Sequence, residues 1–221
     1  MLDKKIRYLQ IAFNDDKASV YSILPSIPKN DRILIEAGTP FVKREGFGGI
    51  RTIAGMWNGK IVADLKTMDG AAEEVELARD AGASAATVLG SAPVETINLF
   101  IQKCQALGLD SMIDMIGVEE PLKVMRMLKQ PPKVVVLHKG RDEETTRGKV
   151  IRYKHINKIR SKYDVLISAA GGVDLREARS AIFNGANIVV VNIVAGGDPW
   201  TGIRADGNVA EMAQQFLKTI E

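Results

Sequence analysis

Asp64 and Lys66 stand two positions apart, directly after the apolar run Ile61-Val62-Ala63. On a β-strand two such side chains share a face, so a carboxylate and an ammonium sit side by side. The neighbouring anion keeps the lysine protonated, which suits it to stabilise an oxyanion. Glu36 closes a second apolar run, Ile33–Ala37. Two adjacent carboxylates suit a hard cation such as Mg²⁺, which takes oxygen ligands and keeps several waters. His138, one of two histidines, follows Val134-Val135-Val136-Leu137, and imidazole is the natural general base near neutral pH. Each residue alone has a plainer role. Glu36 would cap a loop, and Asp69 would N-cap a helix beginning at Gly70-Ala71-Ala72. His138 would be structural, and Arg141 would pair at the surface with Asp142 or Glu143 for little energy. Their common position just after strand-like runs favours one shared site. His155 lies in a basic stretch and is expected at the surface.

The elements that must position these groups alternate regularly. Strands are predicted at Arg7–Phe13, Ile33–Ala37, Ile61–Leu65, Ala85–Leu89, Asp110–Met115, Val134–Leu137, Val165–Ala169 and Asn187–Ile193. Amphipathic helical patterns separate them: Lys17–Leu24, Val42–Met56, Ala71–Ala81, Val94–Leu107, Glu119–Leu128, Ile151–Ser161, Leu175–Phe183 and Val209–Ile220. Strands that are apolar without alternation are covered on both faces. Strand-then-helix order implies parallel crossovers. Eight such units predict an α/β chain folded as one (β/α)8 TIM barrel over residues 1–221, whose functional groups gather at the C-terminal ends of the strands. An open doubly wound sheet is the rival, but Phe13-Asn14-Asp15 follows strand one where a glycine-rich dinucleotide turn would stand. Ala195–Asn208 is a long glycine-rich loop after strand eight.

Composition narrows the partners. The formal charge is +3, with 30 basic and 27 acidic residues mixed along the chain. The densest basic stretch, Arg147 to Lys162, reads as a solvated helix face, so no nucleic-acid footprint is expected. No apolar run is long enough to cross a bilayer, and no signal peptide opens the chain. The single cysteine, Cys104, sits in an apolar helical pattern as a buried structural thiol. A cytoplasmic protein is expected.

Several segments carry a family likeness. Asp64-Leu65-Lys66-Thr67-Met68-Asp69 with Thr87-Val88-Leu89-Gly90-Ser91-Ala92 resembles 3-hexulose-6-phosphate synthase, of the orotidine 5'-monophosphate decarboxylase suprafamily. Leu9–Ala12, Ile35–Phe41, Leu137–Glu143 and Ala170–Val173 extend the likeness nearly end to end. It also covers the synthase domain that some archaea fuse to a formaldehyde-activating enzyme, and so allows such a fusion partner in the native protein. The resemblance implies a lyase of the ribulose monophosphate pathway. Formaldehyde would condense with D-ribulose 5-phosphate to D-arabino-hex-3-ulose 6-phosphate, reversibly, through a Mg²⁺-stabilised enediolate, with Mn²⁺ as the alternative ion. Glu36 and Asp64 would hold the metal, His138 would take the C1 proton, and Lys66 would stabilise the developing charge. Asp69 would reach into the neighbouring subunit's site, implying a homodimer with shared active sites. Gly171 and Gly172 would bring backbone N–H groups to the phosphate.

Three departures from the family pattern bear on function. Asn14 stands where the family usually has Asp; as a substrate contact it offers hydrogen bonds without charge, and Asp15 is the candidate replacement anion beside Lys66. Val190-Val191-Asn192 replaces the usual Gly-Gly or Gly-Arg at the end of strand eight. Asn192, Gly196 and Gly197, or Arg204 from the long loop, are expected to complete the substrate contacts. Arg141 resembles the sister enzyme 3-keto-L-gulonate-6-phosphate decarboxylase, which is the alternative activity. A catalytically impaired sugar-phosphate-binding barrel is the third reading, motivated by Asn14 and Val191.

Overall fold

A computed structural model describes residues 1–144, 146 and 148–221. Arg147, where the basic stretch begins, lies outside the described residues. The strands are β1 (Tyr8–Phe13), β2 (Ile33–Ala37), β3 (Lys60–Thr67), β4 (Ala85–Leu89), β5 (Asp110–Asp114), β6 (Val134–His138), β7 (Leu166–Ala170) and β8 (Ile188–Val194). Each pairs in parallel with the next, and β8 returns to β1 with Ile11 opposite Val191. The ring closes the (β/α)8 barrel that the sequence predicts. Around it run α1 (Lys17–Ile23), α2 (Thr39–Met56), α3 (Ala71–Asp80), α4 (Val94–Leu107), α5 (Pro121–Met127), α6 (Lys154–Arg160), α7 (Leu175–Phe183) and α8 (Val209–Thr219). Inside the loop expected at 195–208, β9 (Ile203–Arg204) pairs with Ile193 and Val194.

Two cores explain the continuous apolar strands. Leu9, Ile11, Ile35, Val135, Ile167 and Val189 face outward and pack with helix residues such as Phe41, Ile53, Phe100 and Phe216. Tyr8, Leu34, Val62, Met112, Val134, Leu166 and Ile188 face inward and fill the barrel. Burying a side chain of this size removes it from water at about 1.5–3 kcal/mol of stabilisation each. Because side chains alternate, two steps from each interior apolar residue brings another interior position. Leu34 leads to Glu36, Val62 to Asp64, Met112 to Asp114, Val136 to His138, Ala12 to Asn14 and Val190 to Asn192. The polar rim is thus the last layer of the packed interior.

Helix ends follow local chemistry. Asp16 caps α1 through Ser19 N–H, and Asp174 caps α7 through Glu177 N–H at 2.7 Å. Cys104 is fully buried, and burial pushes its thiol up to about 12, so it is inert at neutral pH. His155 corrects the surface expectation: it is 1% exposed, and neither ring nitrogen has a partner among the described residues. The basic helix is amphipathic, turning His155, Ile156 and Ile159 inward while Lys154, Lys158 and Arg160 stay in solvent. Trp57 is buried at the end of α2, with Lys29 Nζ 4.2 Å from its ring centroid. No helix among the described residues is long and apolar enough to cross a membrane.

Candidate active site

At the C-terminal mouth of the barrel lies a cavity of about 250 Å³, and Glu36, Asp64, Lys66, Asp114 and His138 all line it. Asp64, at the interior face of β3, is the most heavily bonded. Its Oδ1 accepts the Thr87 hydroxyl at 2.8 Å, and its Oδ2 accepts the Thr39 hydroxyl and Lys66 Nζ, each at 2.6 Å. Lys66 reaches this position through an unusual backbone. Its φ is 49°, and the β3–β4 register shifts between Ala63 and Thr67. A non-glycine residue at positive φ stores strain that its surroundings must hold in place. Here Lys66 N–H donates to Thr87 Oγ1 at 2.9 Å, so one threonine fixes both the lysine backbone and the Asp64 carboxylate.

Asp114, which sequence reasoning missed, links the charged groups. One oxygen lies 3.0 Å from Lys66 Nζ and 2.8 Å from His138 Nδ1, and the residue is 2% exposed. Ile116 N–H donates to its other oxygen at 2.9 Å. Its signal was faint but present: Asp110-Ser111-Met112-Ile113-Asp114 puts Asp114 on the same face as Met112. Asp114 also supplies the second anion beside Lys66. Asp15 does not, because it is exposed and pairs with Arg44 at 2.5 Å.

Burial and charge set the protonation states. Burial alone would lower the Lys66 ammonium, but Asp64 and Asp114 reverse this and hold it protonated. Burial would raise Asp114, yet the His138 and Lys66 charges and hydrogen bonds hold it well below the carboxylate range. Burial would lower His138; the Asp114 charge and hydrogen bond outweigh it and raise the imidazole. Glu36 goes the other way. Burial, then the Asp64 charge, push it up to about 7 despite a hydrogen bond from Gln10 Nε2. With Nδ1–H donated to Asp114, Nε2 is the nitrogen left to exchange a proton.

On the other side of the mouth the strand ends of β7, β8 and β1 bring amides and glycine. Asn14 Nδ2 donates to Asn192 Oδ1 at 3.0 Å, tying the ends of β1 and β8, and both line the cavity. Gly171 lines it too, with φ 101°; a Cβ there would fall 1.8 Å from the Lys139 carbonyl oxygen, so only glycine fits. Arg141 lines the rim with its guanidinium 5.7 Å from the Trp200 ring centroid.

Five expected contributors do not line the cavity; one of them, Gly172, follows Gly171 on the same turn. Arg204 donates to the Ala195 and Asp198 carbonyls at 3.0 and 2.9 Å and so staples its own loop. Gly196 and Gly197 are exposed on that loop and do not line the cavity, because the β9 pairing holds the loop against β8. Asp69 is exposed on the β3–α3 connection; the cap residue of α3 is Gly70, so Asp69 neither caps the helix nor lines this chain's cavity.

Glu36 and Asp64 form an oxygen donor pair whose mutual repulsion a hard cation would relieve. Gln10 Oε1, beside Glu36, is buried without a partner among the described residues. Among those residues no three His, Cys, Asp or Glu side chains are arranged to hold a metal ion. Two carboxylates completed by substrate oxygens and water are nevertheless a donor set that fits Mg²⁺.

Comparison with known proteins places this architecture. The model of the orotidine 5'-phosphate decarboxylase / HUMPS family matches residues 7–199. A relative named bifunctional enzyme Fae/Hps, from Methanothrix thermoacetophila, is 37% identical over 216 residues, covering 97% of this chain and 53% of that protein. The chain therefore spans about half the length of the curated relatives it matches. Among solved structures, 3-hexulose-6-phosphate synthase from Salmonella typhimurium superimposes with a TM-score of 0.80 at 25% identity, covering 96% of this chain and 98% of that one. A 3-keto-L-gulonate-6-phosphate decarboxylase from Vibrio cholerae has a TM-score of 0.70 at 21% identity over 97% of both chains, a likeness of fold. The chain belongs to the orotidine 5'-phosphate decarboxylase / HUMPS family.

Proposed function

We propose that the chain catalyses the reversible aldol condensation of formaldehyde with D-ribulose 5-phosphate to D-arabino-hex-3-ulose 6-phosphate. The observation that carries this reading is the ion-paired chain Asp64–Lys66–Asp114–His138 at the mouth of the cavity. It puts a fixed ammonium and an oriented imidazole in one pocket. The synthase relatives support the choice of reaction.

His138 Nε2 removes the C1 proton of the sugar phosphate, and the C–H electron pair passes into an enediolate. Asp114 holds the ring by Nδ1 and stabilises the imidazolium that forms. Lys66, protonated between two carboxylates, offsets the developing oxyanion. The enediolate carbon bonds to the formaldehyde carbon, and the carbonyl oxygen, now an alkoxide, takes a proton back from His138. Glu36 and Asp64 would hold the divalent ion, Mg²⁺ or Mn²⁺; when bound it supplies Lewis-acid stabilisation of charge on the substrate oxygens. The side of the mouth formed by the ends of β7, β8 and β1, with Gly171 and Gly172, receives the phosphate. Asp69, free of contacts with this chain's own cavity, is assigned to the site of a second copy in a homodimer. We place the reaction in the cytoplasm and allow for a fused formaldehyde-activating domain in the native protein.

The test is formaldehyde loss in the presence of ribulose 5-phosphate and Mg²⁺. Loss that requires the sugar phosphate and stops on chelation is expected. A folded chain that consumes none, metal present, removes the synthase reading. One observation favours a second reading: Arg141 lines the cavity beside the Trp200 ring, with no ion-pair partner among the described residues, and a guanidinium so placed suits a carboxylate substrate. Carbon dioxide release from 3-keto-L-gulonate 6-phosphate would reveal that decarboxylase activity.

A further inference from the structure

Beside the glycine turn after β7 stands a carboxylate. Gly171 and Gly172 leave the barrel at φ 101° and 64°, and no hydrogen bond among the described residues is donated by either backbone N–H. Such a turn offers donors to an anion. A Cβ built on Gly172 would lie 3.1 Å from Lys139 Nζ and 3.2 Å from both the carboxyl carbon and Oε2 of Glu144. Glu144 Oε2 accepts the Thr201 N–H at 3.3 Å, joining the segment after β6 to the loop after β8. Its Oε1 is buried with no partner among the described residues, and the residue lines the main cavity. A buried acceptor left unpaired is unfavourable. The Thr201 N–H is the hydrogen bond that holds the side chain there, with Lys139 Nζ on the same side of the glycine turn.

We infer that Glu144 is a specificity-determining residue for the phosphate end of the substrate: its carboxylate stands in for phosphate oxygens beside Gly171, Gly172, Lys139 and Thr201, and must be displaced for substrate to bind. The inference rests on the reading that phosphate binds at this end. A phosphate dianion brings more charge and three strong acceptors to the same donors, so it outcompetes one carboxylate. A sugar without phosphate has only neutral oxygens and leaves Glu144 in place. Arg141 lies three residues earlier, in the short turn Arg141–Glu143.

The experiment uses the full chain, its Glu144→Gln variant, and Glu144→Ala as a second variant of different shape. Binding of inorganic phosphate is measured by calorimetry, with ribulose 5-phosphate as competitor. Removing the like charge is expected to tighten phosphate by about tenfold in both variants and to lower the KM for ribulose 5-phosphate in the same direction. Unchanged or weaker phosphate binding in both variants overturns the assignment of Glu144. If the unaltered chain then still binds phosphate in competition with ribulose 5-phosphate, the phosphate end itself stands. Phosphate binding that ribulose 5-phosphate does not displace, or no binding in any of the three proteins, overturns both.

Discussion

The two halves of the barrel mouth are built on different principles. From β2 to β6 the rim is ionic and buried: Glu36, Asp64 and Asp114 are 7%, 7% and 2% exposed, with Lys66 and His138 among them. From β7 through β8 to β1 the strand ends are neutral, glycine backbone and the Asn14–Asn192 amide pair, and the Arg141 and Glu144 charges near them come from the segment after β6. Charges placed in low dielectric interact strongly and hold one another's protonation states, which is what proton transfer needs. Neutral donors suit an anion that arrives with its own charge. The difference teaches that one cavity separates chemistry from anchoring by confining the titratable groups of its strand ends to half the ring.

Breaking the ionic half gives the largest effect. Asp114→Asn leaves Lys66 and His138 without their shared anion, and turnover should fall by about 10²–10⁴, measured as initial rates. The sign of the pH effect follows from the shifts. His138 is raised by Asp114 and lowered by burial, so the variant's imidazole drops, and the base limb of the pH–rate profile moves to lower pH. Stability changes as well. The depressed Asp114 contributes stability above its unfolded pKa, lost as pH falls through its lower folded value; the raised His138 contributes below its unfolded pKa, lost as pH rises through the folded one. Thermal melts of the variant should lose both slopes.

Glu36 sharpens the same half through metal binding. Its folded pKa of about 7 lies above the usual carboxylate value, so its contribution to stability is present at low pH and fades as pH rises through about 7. A divalent ion needs the ionised carboxylate. Mg²⁺ affinity should therefore climb with pH up to about 7 and then level, with proton release visible by calorimetry in two buffers. Glu36→Gln should flatten that dependence.

The neutral half should tolerate change. Asn192→Ala removes one hydrogen bond, at 3.0 Å to Asn14, worth about 1 kcal/mol, so the KM for the sugar phosphate should rise by about fivefold with little change in turnover. A loss as large as that of Asp114→Asn would erase the contrast between the halves. Smallest of all, His155→Leu replaces a buried imidazole that has no partner; the melting temperature should hold or rise by about 2–4 °C.

The barrel and most of its ionic half were readable in the sequence because both depend on strand position alone. Val134–Leu137 and Ile188–Val191 announce strands covered on both faces, and residues just beyond such runs fall at the mouth. Glu36, Asp64, Lys66 and His138 were found that way, and Asn14, Gly171 and Asn192 do line the cavity. Asp114 was hidden because it ends an apolar strand between Ile113 and Met115, where only the interior register reveals it. Lys66 at φ 49° and the β3–β4 irregularity leave no sequence mark. Arg204, Gly196 and Gly197 were misplaced because composition does not foretell a two-residue strand, and it is β9 that draws their loop against β8. His155 was misjudged by weighing its basic neighbours above the inward spacing of Ile156 and Ile159.

Deuterium wash-in at C1 of ribulose 5-phosphate, followed by NMR in D₂O without formaldehyde, isolates the proton transfer assigned to the ionic half. With Mg²⁺ present, the unaltered chain should exchange the C1 proton, and His138→Ala should not, while both still bind the sugar phosphate. Exchange that persists in His138→Ala, or a chain that consumes formaldehyde without ever exchanging C1, would contradict the account.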